Sequence, residues 1–161
     1  MAYARVIAAH DIPNALIRAY LHAQFGHALY VLDERGAEGE ELALQCVWPA
    51  GVEIVGLRTV KDFRHVDFTF DGIEDAIAYG KTLLGAKYDL SNIAGFVFDP
   101  ALHNPNELIC SRFLVETAAY GAKNPLFDPQ ISFWHIAPGV LPACYPRGKK
   151  ILDVWPVGLL L

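Results

Sequence analysis

Hydrophobic residues along this chain fall into short runs whose period shifts between two and three to four. In His65-Val66-Asp67-Phe68-Thr69-Phe70 the apolar side chains occupy every second position, which predicts a strand with Val66, Phe68 and Phe70 turned inward and the other face half-exposed. His27-Ala28-Leu29-Tyr30-Val31-Leu32 is aromatic and β-branched enough for a buried strand, with His27 on the face of Leu29 and Val31. Two further extended runs, Leu42 to Trp48 and Val52 to Leu57, are broken at Pro49-Ala50-Gly51, and the acidic stretch Asp33 to Glu41 reads as a turn. Together these predict an antiparallel meander in a sheet of at least four strands.

Helical spacing appears three times. Asp11 and Pro13 precede Ala15 to Leu21, a short capped helix that ends near Phe25-Gly26. Asp71-Gly72-Ile73-Glu74 has the form of a capping box, followed by an apolar stripe of Ile73, Ala76, Ile77 and Leu84 and by Gly85 as terminator. The third helix begins near Cys110 and runs through Phe113, Leu114, Thr117 and Ala118 to Gly121. Lys87 to Ile109 is rich in Asp, Asn and Pro and reads as an irregular, function-bearing segment. The Pro-rich tail offers two short strands, Ile131 to Ile136 and Lys150 to Trp155, as sheet-edge or wrapping structure. The expected class is α+β, one domain over residues 1–161 with a core of about 5–121 and a tail over 122–161 that wraps it.

Composition narrows the class of function. At 161 residues and 53% hydrophobic the chain can bury one good core, yet no run approaches the roughly 20 apolar residues of a bilayer-spanning helix. Met1 to Ala9 lacks the build of a secretory signal, so a cytoplasmic protein, or one released on lysis, is expected. Net charge is −5 and the basic residues are scattered, which argues against nucleic acid as a partner. Three cysteines with no CxxC pair speak against a disulfide scaffold or a zinc site. No metal and no cofactor is expected.

The candidate chemistry centres on Cys110. It stands where the third helix begins, and the unpaired N–H groups there favour a thiolate. Most lone cysteines are simply small buried hydrophobes, and a histidine on an apolar strand face is more often a hydrogen-bonded core residue than a base. The combination matters more, because a thiol nucleophile needs an imidazole in reach and the imidazole needs a polar group to hold its tautomer. His27 supplies the first, and Gln45 on the next predicted strand can supply the second. Cys46 and Cys144 read as packing thiols. His22, His65, His103 and His135 read as surface or loop histidines, and Asp33 to Glu41 as a solvated turn without a calcium-loop pattern.

Four segments in order, Phe25-Gly26-His27-Ala28-Leu29-Tyr30-Val31, Ala43-Leu44-Gln45-Cys46, Gly85-Ala86-Lys87-Tyr88-Asp89 and Ile109-Cys110-Ser111-Arg112-Phe113-Leu114-Val115-Glu116, carry a further signal. This arrangement resembles the circularly permuted NlpC/P60 superfamily, papain-like thiol hydrolases in which the histidine strand precedes the cysteine helix. The most specific element is the Cys-Ser-x-x-x-Val-Glu run, and the resemblance spans roughly Arg5 to Gly121. It implies a papain-like fold with an antiparallel sheet packed against helices. Cys110 is then similar to the family nucleophile, His27 to its base, Gln45 to its third polar residue, and Tyr88 to a tyrosine lining the site near the oxyanion. Two positions depart from the common pattern: Gly26 stands where a serine is frequent, and Gln45, a neutral amide, stabilises an imidazolium less than a carboxylate would.

The function this implies is hydrolysis of an amide bond, in a peptide or cell-wall peptide, through a thioester. Two alternatives stand beside it. One is acyl transfer or hydrolysis on a lipid, with Trp48, Phe96, Phe98 and Trp134 as an apolar rim; the other is a non-catalytic binding or assembly module on the same fold, as in a phage or prophage particle.

Overall fold

The computed structural model describes residues 1–8, 25–60, 65–91, 106–123 and 150–154. The expected helix at 11–21 and strand at 131–136 lie outside these residues, as do His22, Phe96, Phe98, His103, Trp134, His135 and Cys144. The described chain is an α+β fold built on β1 (Tyr3–Ile7), β2 (His27–Arg35), β3 (Glu41–Val47), β4 (Gly51–Gly56), β5 (His65–Thr69) and β6 (Lys150–Val154). Two helices, α1 (Ile73–Thr82) and α2 (Cys110–Glu116), accompany the sheet. Strand order is β4-β3-β2-β1-β5-β6, antiparallel throughout. Among the described residues no helix is long and apolar enough to cross a membrane.

Alternation along the strands divides the apolar residues between two faces. Ala4, Val6, Ala28, Tyr30, Leu32, Leu44, Cys46, Val66 and Phe68 join the main core with Ile73, Ile77, Phe113 and Leu114 from the helices. Ile7, Leu29, Val31 and Ala43 form a second, smaller cluster with Tyr3, Val55, Leu57 and Val60 packed against it. His27 to Leu32 is therefore buried at every position, as expected of a strand covered on both faces.

α1 turns Ile73, Ala76, Ile77 and Gly80 inward, the i, i+3, i+4, i+7 spacing of an amphipathic helix. α2 is buried over Cys110 to Val115. Its Phe113 ring meets the edge of Tyr30 at 6.1 Å and 73°, a favourable aromatic geometry. α2 passes directly into a π-helical turn, Thr117–Gly121. The Tyr30 hydroxyl lies 3.0 Å from the Leu114 carbonyl and 2.7 Å from Thr117 Oγ1. Thr117 Oγ1 in turn lies 2.9 Å from the Phe113 carbonyl. Side-chain hydroxyls thus occupy carbonyls of the helical ladder at the point where it widens.

Several local expectations are corrected. β2 continues through Asp33-Glu34-Arg35, so the turn is confined to the residues between Arg35 and Glu41, which are themselves opposite each other. α1 starts from Gly72 at φ 84°, so the N-cap falls one residue after the expected Asp71. A Cβ at Gly72 would meet the Ala122 Cβ at 2.9 Å, and the chain enters the helix through a left-handed glycine packed on the end of the π turn. The helix ends at Thr82, and Leu84, expected in the stripe, is 48% exposed. β5 is not half-exposed. Asp67 on its other face is buried and clamps Arg5, directly opposite on β1, with contacts of 2.6 and 2.8 Å. His65 is the half-buried first residue of β5.

Candidate active site

One end of the sheet gathers the candidate residues, and a backbone ladder brings them there. Gly51, at φ 80°, opens β4 where a Cβ would fall 2.1 Å from the Ala86 carbonyl oxygen; only glycine admits this approach. Val52 then bonds the following segment on both sides, its N–H to the Ala86 carbonyl and its carbonyl to the Gly85 N–H, each at 2.9 Å. From Ala86 the chain runs on to Tyr88, which forms a parallel bridge with Leu108. The Leu108 N–H donates to the Lys87 carbonyl at 2.9 Å, and the Asp89 N–H donates to the Leu108 carbonyl at 2.8 Å. Two residues later Cys110 begins α2. The irregular stretch expected over 87–109 is thus pinned at both of its ends.

Arg112 reinforces this approach from within α2. Its guanidinium donates to the Glu107 carbonyl at 2.7 Å and to Glu116 Oε1 at 2.6 Å. The loop entering the helix is thereby tied to the helix itself. Cys110 Sγ lies 3.9 Å from the carbonyl oxygen of Gly26, so the thiol stands beside the peptide link leading into His27. Cys110 and His27 expose 1% and 3% of their surface.

His27 opens β2, and Gln45 faces Leu29 in the β2–β3 register, so the two polar side chains are diagonal neighbours on one sheet face. Their contact is direct, with His27 Nε2 2.9 Å from Gln45 Oε1. Gln45 is also directly opposite Glu53 of β4, and its Nε2 donates to Glu53 Oε1 at 3.0 Å. A carboxylate accepts but does not donate. With the amide N–H turned to Glu53, the amide oxygen faces His27 and must accept a proton from Nε2. The neutral imidazole is then the Nε2–H tautomer, and its lone pair is on Nδ1.

Of the four residues singled out from sequence, His27 and Gln45 are in direct contact, and Cys110 stands beside the Gly26 carbonyl at the same end of the sheet. Tyr88 has its backbone beside Leu108 and its ring in the main core. Glu53 was missed. Its signal was the Pro49-Ala50-Gly51 turn, since pairing Val47 with Gly51 across that turn sets Gln45 opposite Glu53. Cys46 is a packing thiol, as expected: it is buried, its Sγ is 3.3 Å from the Leu108 carbonyl, and burial pushes its pKa far up, with the nearby Cys110 adding to the effect. Among the described residues no three His, Cys, Asp or Glu side chains stand close enough together to hold a metal ion.

Comparison with protein-family models and with curated proteins gives no match. Among solved structures the chain is similar in fold to yiiX of Escherichia coli O157:H7, described as a metalloprotein of the DUF1105 group. The TM-score is 0.58 at 12% identity, over 79% of this chain and 68% of that one.

Proposed function

We propose that this protein is a papain-like thiol hydrolase of the permuted NlpC/P60 type that cleaves an amide bond in a peptide or cell-wall peptide. The observation carrying this reading is the His27–Gln45 hydrogen bond of 2.9 Å, next to a helix-initiating cysteine whose sulfur lies 3.9 Å from the Gly26 carbonyl. Of the two contacts that a Cys-His-polar site requires, the one from imidazole to amide is thereby supported at atomic distance. In the proposed reaction His27 takes the thiol proton, and the Cys110 thiolate adds to the substrate carbonyl carbon. His27 then protonates the departing nitrogen as the C–N bond breaks, and water hydrolyses the thioester. Backbone N–H groups at the start of α2 and the Tyr88 hydroxyl are the proposed oxyanion donors.

An acyl-lipid substrate is the second reading. It is favoured by Trp48, Leu84 and Leu90, each about half exposed (49%, 48% and 47%), on segments that meet at this same end of the sheet.

The test is the pH dependence of Cys110 alkylation by iodoacetamide in wild type and His27→Ala. The expected result is an apparent thiol pKa well below the usual value of about 8.5, raised when His27 is removed. An ordinary or inaccessible thiol in both proteins points instead to a non-catalytic binding module. Hydrolysis of peptide p-nitroanilides against long-chain acyl p-nitrophenyl esters, with Cys110→Ala as control, separates the two substrate classes.

A further inference from the structure

Gln45 poses a specific problem as the partner of a catalytic base. The two ends of its terminal amide are nearly the same size, so a half-turn about the last bond exchanges acceptor for donor with little change in packing. In one orientation the amide oxygen accepts from Nε2 and the basic lone pair is on Nδ1. In the other, an amide N–H donates to Nε2, the ring proton moves to Nδ1, and that nitrogen can no longer take a proton from the thiol. An asparagine or glutamine in this role works only if something selects its orientation.

We propose that Glu53 is the positioning residue that makes this selection, and that the functional unit is the row His27–Gln45–Glu53 across β2, β3 and β4. The inference rests on the thiol-hydrolase reading for its purpose but on geometry for its content. Gln45 and Glu53 are directly opposed across β3 and β4, with Gln45 Nε2 donating to Glu53 Oε1 at 3.0 Å. On the other side Gln45 Oε1 meets His27 Nε2 at 2.9 Å. Flipping the amide would set its oxygen against the carboxylate, acceptor against acceptor, and lose the Glu53 contact. Glu53 also places a negative charge one amide away from the imidazole. It thus restores part of the support for an imidazolium that the neutral Gln45 lacks.

Among the described residues, the other titratable groups near this row are engaged elsewhere, the buried Asp89 beside Leu108 accepting from the Ser91 hydroxyl. Cys46 on β3 donates to the Leu108 carbonyl, and Cys110 and Arg112 belong to α2, where Arg112 is paired with Glu116. Farther along the same sheet face, Arg5 of β1 and Asp67 of β5 form a pair with each other. Glu53 is therefore the charge that acts on His27 through Gln45.

The experiment uses the full chain as wild type, Glu53→Gln and Glu53→Leu, with two readouts: the 15N shifts of the His27 ring, which report the tautomer, and the pH profile of iodoacetamide alkylation scored at Cys110 by peptide mass mapping. Wild type is expected to show the Nε2–H form. Glu53→Leu should give a mixture of tautomers and an apparent Cys110 pKa raised by about one unit, a roughly tenfold slower reaction below that pKa. Glu53→Gln, which can still accept through its amide oxygen, should keep the tautomer while raising the apparent pKa by a smaller amount.

A role confined to strand packing would lower the melting temperature and move neither readout, and that result in Glu53→Leu overturns the proposal. If Glu53→Leu does not fold, an Nδ1–H ring in wild type overturns it just as directly. The underlying reading fails separately: an ordinary Cys110 thiol in wild type would refute the hydrolase, while the His27 tautomer would still decide the role of Glu53.

Discussion

Replacing Arg112 with leucine should destabilise the protein more than replacing Arg112 and Glu116 together. The Arg112 and Glu116 side chains are only 7% and 16% exposed, and their contact is 2.6 Å, one turn apart on α2. Removing one partner of a buried pair typically costs about 3–5 kcal/mol, because the surviving charge is left without compensation. The residual exposure of Glu116 lets water reach its carboxylate, which favours the lower part of that range. The lost bond to the Glu107 carbonyl adds to the cost, and the gain from burying a leucine offsets part of it. A net loss of about 3–4 kcal/mol follows, a large share of an ordinary domain's stability and roughly 6–16 °C in melting temperature at this chain length. In the double variant, Arg112→Leu with Glu116→Leu, neither member of this pair is left behind and the Glu107 carbonyl loses its donor, so the expected cost falls to about 1–2 kcal/mol. Urea unfolding followed by circular dichroism measures both. A single variant within about 0.5 kcal/mol of wild type, or a double variant less stable than the single, would refute the reasoning and leave stem packing as the residue's contribution. Because the same guanidinium ties the loop before Cys110 to α2, the single variant should also alkylate faster at Cys110.

Tyr30→Phe removes the hydroxyl that bridges β2 to the Leu114 carbonyl and Thr117, at an expected cost of about 1–2 kcal/mol at neutral pH, since Thr117 keeps the Phe113 carbonyl as acceptor. Burial raises the Tyr30 pKa above its ordinary 10.0, so the unfolded chain loses this proton first and wild-type stability falls as pH rises above 10; thermal melts from pH 7 to 11 should show a shallower decline in the variant, and equal slopes would contradict the assignment. Cys46, raised from 9.0 by burial, contributes to the same alkaline decline in both proteins. Gly80→Ala should destabilise although alanine is the better helix former: its Cβ would sit 3.0 Å from both Leu44 Cδ2 and Phe113 Cζ, and overpacking of about 1–3 kcal/mol outweighs a helix-propensity gain of about 1 kcal/mol. A higher melting temperature in Gly80→Ala would show that the core yields at this point.

Local pattern made β2 to β5 legible: β-branched and aromatic runs such as that around Leu29 mark buried strands, and the run around Phe68 alternates plainly. It did not reveal β1. Tyr3–Ile7 mixes small and apolar residues around Arg5, and its reason for being a strand lies outside itself, in β2 on one side and β5 on the other. The misjudged exposure of β5 has the same origin. Asp67 looks like a solvent-facing residue until β1 is paired beside it, because the guanidinium that compensates its burial is 62 positions away in sequence. The helix start shifted past Asp71 for a related reason, since what lies against Gly72 is Ala122, just after the π turn, a tertiary contact that local pattern does not show.

The candidate site divides along the same line. Cys110 and His27 each had a local signal, a helix start and a strand start, and Gln45 had the next strand. Glu53 had no local signal at all: in isolation it is an acid in an exposed-looking strand, and only the register of β3 with β4 gives it a role. That register could be counted from the turn, because once Val47 is paired with Gly51 every second pair is set, Gln45 with Glu53 included. A polar residue on a buried strand face therefore poses a question that pattern alone can frame. Its buried donors and acceptors must be met, so its cross-strand neighbour is the first place to look, and here the neighbour is a carboxylate. Gln45, a neutral amide, does not stand alone beside His27. Across three adjacent strands the imidazole is backed by an amide and the amide by a charge, which is the order a base needs if its tautomer is to be held without placing a carboxylate in direct contact with it.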